Sequence, residues 1–405
     1  MCVSNLHRIQ PDVESVEDSK LNDLEETEVT NISDLNNSSQ VGLYSEDDID
    51  NDEITSSSSY GSSLDILPGS ETTNNTYYGL FAASSLTSGV NNTVVGYQAL
   101  LSATTASDNT AVGYRTLFSN LSGNDNTAIG WGVLFNNTTG EQNTATGHGA
   151  LYLNQTGNYN SAFGTGSLYS NTGDANSAFG YKAMYSNASG ENNIAVGSLS
   201  LYSNTSGNNN VAIGASALYS NSTGAANVAI GFESLFSSTT ASGNAALGYR
   251  ALYSNTSGSR NTGIGYQALY SNTTGNDNNA FGYGALSANT TGSYNVAFGG
   301  NALLSNTTGD ENIALGYKSL ISNTVGSYNT AVGARSLYSN TSGNNNTAIG
   351  YYTLFRNTTG SDNAGIGYLT LYKNTTGARN TAFGNSSMFS NTTGNKNTAS
   401  GWGSL

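Results

Sequence analysis

The residues able to act as acid, base, nucleophile or metal ligand are few in this 405-residue chain: two histidines, one cysteine and 27 carboxylates. His7 stands in an acidic N-terminal stretch, and His148 takes a position that other copies of a repeat fill with an aromatic ring. Both read as structural rather than as general bases. Cys2 has no second thiol for a disulfide, zinc or iron–sulfur framework. Glycoside hydrolysis needs two carboxylates facing one bond at a defined separation, and Asp125, Glu191, Glu233 and Asp310 form no paired column. A P-loop, a dinucleotide fingerprint and the Asp-rich nonapeptide of calcium-binding rolls are all missing from the sequence. The expectation is a protein that is not an enzyme and needs no cofactor or metal.

Asparagine and threonine offer a second kind of chemistry. Fourteen Asn-Thr-Thr-type turns are Asn-x-Ser/Thr sequons, among them Asn120, Asn137, Asn204, Asn255, Asn272, Asn306, Asn340, Asn374 and Asn391. Turn chemistry explains them first, because Asn, Thr and Gly each favour tight turns. The second reading is N-glycosylation, which would hang a ladder of sugars along one edge. Thr127, Thr144, Thr330 and Thr347 share another column and suggest a flat ice-binding face, but Ile194, Val211, Val228 and Ala245 interrupt it. Tyr97, Tyr114, Trp131, Tyr249, Tyr266 and Tyr283 form an aromatic set. Its first use is packing, and its second is stacking on sugars.

These residues recur because the chain repeats. Nineteen glycines from Gly96 to Gly401 define eighteen intervals, all of 17 residues except the 16 between Gly164 and Gly180. The unit reads Asn-Thr-Ala-Ile-Gly-Tyr-x-Ala-Leu-Tyr-Ser-Asn-Thr-Thr-Gly-x-x. Asn stands four places before every repeat glycine, including Asn92, Asn109, Asn126, Asn210 and Asn346. Leu stands four places after it, except for Met184 and Met388, and Tyr or Phe follows in 14 of 18 copies. The period is too short for a helix–turn–helix repeat. β-Branched and aromatic residues alternating with Asn-Thr-Thr-Gly predict two short strands per coil, stacked as a parallel β-solenoid. The turn glycines Gly140, Gly224 and Gly309 are expected to supply positive φ. Stacking places Asn above Asn, so the asparagine column predicts an amide ladder along the axis.

Charge divides the chain in two. Residues 1–76 carry 17 acidic and 2 basic residues and account for the whole net charge of −15, whereas residues 77–405 balance ten against ten. The first part reads as a largely disordered or partner-binding acidic tail, and the second as a repetitive rod. Nucleic-acid binding is not expected of so acidic a chain. No run approaches the roughly 20 apolar residues of a membrane span, and the first thirty residues lack the apolar core of a secretory signal.

In Ala128-Ile129-Gly130-Trp131 and Leu134-Phe135, neighbouring positions are all apolar or small. Both faces of some strands should then be covered, which predicts that several chains associate. Segments such as Asn346–Tyr351, followed by Leu354-Phe355, resemble the head repeats of trimeric autotransporter adhesins and the longer repeats of phage and giant-virus fibre proteins. The resemblance covers about residues 92–405. It implies a trimeric parallel β-roll, and with it a structural fibre or adhesin-like spike. The adhesin heads have a shorter repeat, and no stalk or anchor barrel is seen, so the expected location is a virion surface or another extracellular appendage. The expected partners are two further copies, an anchoring partner for the tail, and a cell-surface glycan or receptor. The alternative is a monomeric solenoid that binds polysaccharide or ice.

Overall fold

A computed structural model describes residues 73–405, and the tail reading for residues 1–76 therefore falls almost wholly outside the described residues. Within them the chain forms twenty strands of three residues each, from β1 (Thr76–Tyr78) to β20 (Thr398–Ser400), and no helix. Each strand pairs in parallel with the next, one repeat further on. β3 (Thr110–Val112) thus lies on β4 (Thr127–Ile129) with Thr110 opposite Thr127 and Ala111 opposite Ala128. The result is one continuous sheet along one side of a β-solenoid with 17-residue coils. The single 16-residue coil keeps this register, with Ser161 opposite Ser177, because its missing residue comes from the turn at Asn171-Thr172-Gly173.

Only one strand forms per coil, where the residue pattern predicted two. The arc after each strand fails to be a strand because its φ angles change hand. The residues two and four places after the repeat glycine are left-handed, as in Arg115 (φ 52°) and Leu117 (φ 51°). The arc is nevertheless tied to both neighbours: Arg115 N–H donates to Tyr97 O and Leu117 N–H to Val133 O, both at 2.9 Å. A left-handed leucine costs about 1–2 kcal/mol. Burying its side chain contributes about 1.5–3 kcal/mol, and the leucines of this column are fully buried except Leu405 at the end of the chain. Packing therefore outweighs the local preference.

The glycine assignment also changes. Left-handed φ belongs to the repeat glycine that ends each strand, such as Gly130 at 135°, and none of Gly140, Gly224 and Gly309 has one. The turn glycines are needed instead for close approach. A Cβ on Gly140 would stand 2.4 Å from the Asn137 Oδ1 and 2.5 Å from the Gly157 carbonyl.

The core is narrow. The central alanine of each strand points inward, and a leucine and a small residue of the arc close over it, as with Ala246, Ala251 and Leu252. A coil earlier than the nineteen glycines is also present. β1 pairs with β2 (Thr93–Val95), and the Asn75 side chain accepts the Asn92 N–H at 2.8 Å. Asn75 and Gly79 stand 17 residues before Asn92 and Gly96, a signal hidden by Tyr77 and Ala83 in place of the usual Ala and Leu.

Candidate functional site

Because a strand alternates its side chains, the inward central alanine forces its two neighbours outward. Ala128 is buried, whereas Thr127 and Ile129 face out. Within one chain, then, only one parity of the strand is covered, and the second apolar parity stays on the surface. Ile129 is 40% exposed, Ile213 38%, and Phe298 59%. Across the repeat glycine a third outward column carries Tyr97, Tyr114 and Trp131. The face is most apolar over Ile194–Val196, Val211–Ile213 and Val228–Ile230, where both outward strand positions are aliphatic. Twenty strands at about 4.8 Å give a length of roughly 90 Å, and three columns give an area on the order of 1,000 Å². Soluble monomers seldom expose patches above about 300–600 Å². This face is the candidate functional site.

Beside it the aromatic columns are stacked. Phe118, Phe135, Tyr152, Tyr169, Tyr185 and Tyr202 continue through Tyr219 to Tyr270, with neighbouring centroids between 4.8 and 5.4 Å apart. His148 belongs to the outer stack, 4.5 Å from Trp131 and nearly parallel to it, which is the packing role its column suggested. Cations bridge the two columns. Arg115 lies 5.1 Å from the Tyr114 ring and 5.5 Å from Phe118, and Arg250 5.2 Å from Tyr249 and 5.4 Å from Tyr253. Such contacts are worth about 0.5–1 kcal/mol at exposed sites. Burial in the stack raises the phenol pKa of Tyr169 and Tyr253, while the Arg260 hydrogen bond holds the Asp277 carboxyl below its ordinary range.

The asparagines form two ladders inside the coil. Asn92 and Asn109, from the column before each strand, are buried, and the Asn109 Nδ2 donates to Asn92 Oδ1 at 3.1 Å. Asn126 N–H donates to Asn109 Oδ1 at 3.0 Å. Asn210 donates to Asn193, and Asn346 to Asn329, in the same way. Parallel β pairing at a 17-residue offset makes this automatic, since each amide finds its own kind one coil away.

The sequon asparagines make the second ladder. Asn120, Asn137, Asn204, Asn255, Asn272, Asn306, Asn340 and Asn374 are fully buried, and Asn391 partly so. Asn137 Nδ2, the atom that would carry a sugar, donates to Asn120 Oδ1 at 2.8 Å and to Gly140 O at 2.9 Å. A glycan there would replace a core donor with a branched polar group, so burial and hydrogen bonding favour the turn reading of these asparagines over the sugar ladder. The expected result from mass spectrometry of native material is unmodified Asn137, Asn204 and Asn272. Hexose-bearing peptides from a folded rod at these positions would sink the assignment. Sequence reasoning saw these asparagines as turn residues and missed their burial. The available signal was the turn glycine three residues on, which leaves room for the amide. No protein-family model and no curated protein sequence matches the chain.

Proposed function

We propose that this chain is a structural fibre or spike protein whose rod is completed by two further copies of itself, parallel and in register. The observation that supports this is the uncovered apolar face, which is as large as the roughly 800 Å² that each partner contributes to a standard interface. Its columns repeat at one spacing along the whole rod, so an identical chain in register offers matching rows at every coil. The resemblance of the repeats to adhesin heads and viral fibre proteins supports three chains and a place on a virion or other extracellular appendage. Function would then be mechanical and multivalent: weak contacts to a surface glycan or receptor, repeated along three chains, add through effective concentration. The acidic segment, with a net charge of −15, is the natural anchor to a partner carrying basic groups.

Light scattering on the purified full chain tests the assembly. Three copies should weigh about 125 kDa, three times the 41.8 kDa of one chain. A mass near that of one chain would overturn the fibre reading and favour a monomeric binding solenoid. As a second arm, Ile213→Lys with Val228→Asp on the outer face should dissociate the assembly while leaving the coil's own β signal in place.

A further inference from the structure

The second asparagine ladder runs unbroken from Asn120 to Asn221 and again from Asn255 to Asn391. Between them stands Ser238, whose hydroxyl is too short to bridge two coils. Asn221 Oδ1 and Ser238 Oγ are both fully buried and have no hydrogen-bond partner among the described residues. The same coil carries Ala241 where its neighbours carry a turn glycine. The two changes belong together: a Cβ on Gly224 would lie 2.2 Å from the Ala241 carbonyl oxygen of the next coil and 2.4 Å from Asn221 Oδ1, so alanine needs the asparagine gone and the next coil's turn eased away. The one other alanine in this position, Ala106, also accompanies a missing asparagine, Ala103. Backbone bonding is thinner here as well. Thr274 N–H donates to Thr290 O at 3.2 Å, and Thr223 N–H to Thr239 O at 3.2 Å, but Thr240 N–H makes no such bond, a loss it shares with Thr156 in the coil before the 16-residue interval closes.

The opposite edge of this coil is reinforced. Glu233 accepts from Arg250 Nε at 2.6 Å, joining it to the following coil. Phe236 stacks on Tyr253 at 5.3 Å and Phe232 on Tyr249 at 5.6 Å. One edge has lost one of its two ladders, keeping only the Asn227–Asn244–Asn261 column, and the other edge is clamped.

We propose that the coil joining β10 (Val228–Ile230) to β11 (Ala245–Leu247) is a joint at which the rod opens along its asparagine edge and bends about its aromatic edge. Among the described residues it has ten strands on either side. The inference does not depend on chain number, because copies in register would bring their joints to one level.

Hydrogen exchange on the full chain should show the Thr240 amide exchanging at least about tenfold faster than the Thr274 amide. Electron micrographs should show kinks concentrated at mid-rod. The double change Ser238→Asn with Ala241→Gly should remove both signals. Ser238→Asn alone should not, since its Oδ1 would meet the Ala241 Cβ. Transplanting the joint with Asn306→Ser and Gly309→Ala should create a second kink. Equal exchange at Thr240 and Thr274, kinks spread evenly along the rod, or a transplanted site that stays straight would each overturn the proposal.

Discussion

Gly265→Ala should be among the most damaging single methyl groups this rod can receive. Gly265 has φ of 136°, a region that side-chain-bearing residues rarely adopt, and costs for such conformations run to about 1–3 kcal/mol. The new Cβ would also stand 2.4 Å from the Gly282 carbonyl oxygen and 2.7 Å from its carbon. Both are backbone atoms of the next coil, so no side chain can swing aside. Relief requires separating β12 (Thr262–Ile264) from β13 (Asn279–Phe281), which are otherwise paired residue for residue. We expect a loss of at least about 3 kcal/mol of local stability, read as faster amide exchange on both sides of the substitution. Ser271→Ala, on the surface of the same coil, should stay within about 0.5 kcal/mol. A Gly265→Ala rod that matches the parent in exchange and in thermal midpoint would show that the coils are not stacked as closely as described.

The second large effect should come from Asn289, deep in the sequon ladder. Its Nδ2 donates to Asn272 Oδ1 and to Gly292 O, each at 2.8 Å, and its Oδ1 accepts from Asn306 at 2.9 Å. Asn289→Ala removes a partner from three buried groups: Asn272 Oδ1 is left with none, while Gly292 O keeps Asn278 Nδ2 and Asn306 Nδ2 keeps Gly309 O. One unsatisfied acceptor costs about 1–3 kcal/mol, and the two weakened groups add to it, so the expected loss is about 2–4 kcal/mol. Asn289→Asp should be worse at neutral pH even though its shape is unchanged. The carboxylate turns a donor into an acceptor facing two other acceptors, and it is buried without a cation. Burial disfavours the charged form, so the folded-state pKa of this aspartate should rise above its unfolded value. The folded state then binds more protons between the two values, and stability falls as pH rises through that window. Acid should therefore rescue the Asp variant relative to the parent, because the protonated carboxyl can donate to Asn272 Oδ1. Chemical denaturation of both proteins at pH 7 and pH 4 decides the point. A pH-independent difference between them would mean that residue 289 is solvated and the ladder is not buried.

Much of this was legible beforehand because a solenoid is close to a one-dimensional object. Once Gly96, Gly113 and their successors recur every 17 residues, coil n must lie on coil n+1. Every column then stacks on itself, which is why the amide ladder of Asn92, Asn109 and Asn126 could be read from spacing alone. The charge split was legible as well, since the fixed positions of the repeat unit hold no charged residue and the ten acidic and ten basic residues of 77–405 cancel. What spacing cannot say is which way a column points. That depends on the path of the arc between strands, and the path is set by left-handed residues such as Leu117 and Arg115, whose types carry no local preference for that conformation. Burial of the leucine column and bonds to both neighbouring coils impose it. The absence of a second strand, the shift of positive φ from Gly140 to Gly130, and the burial of Asn137 all follow from that arc. So does the pairing of Ser238 with Ala241, visible in the text as two unrelated exceptions. It becomes one event only when the side chain of residue i and the Cβ of residue i+3 are seen to compete for the same space. The sequence alone determined the period, the stacking and the identity of each column; the tertiary structure decided the direction of each, because direction is a property of the closed coil and not of any residue within it.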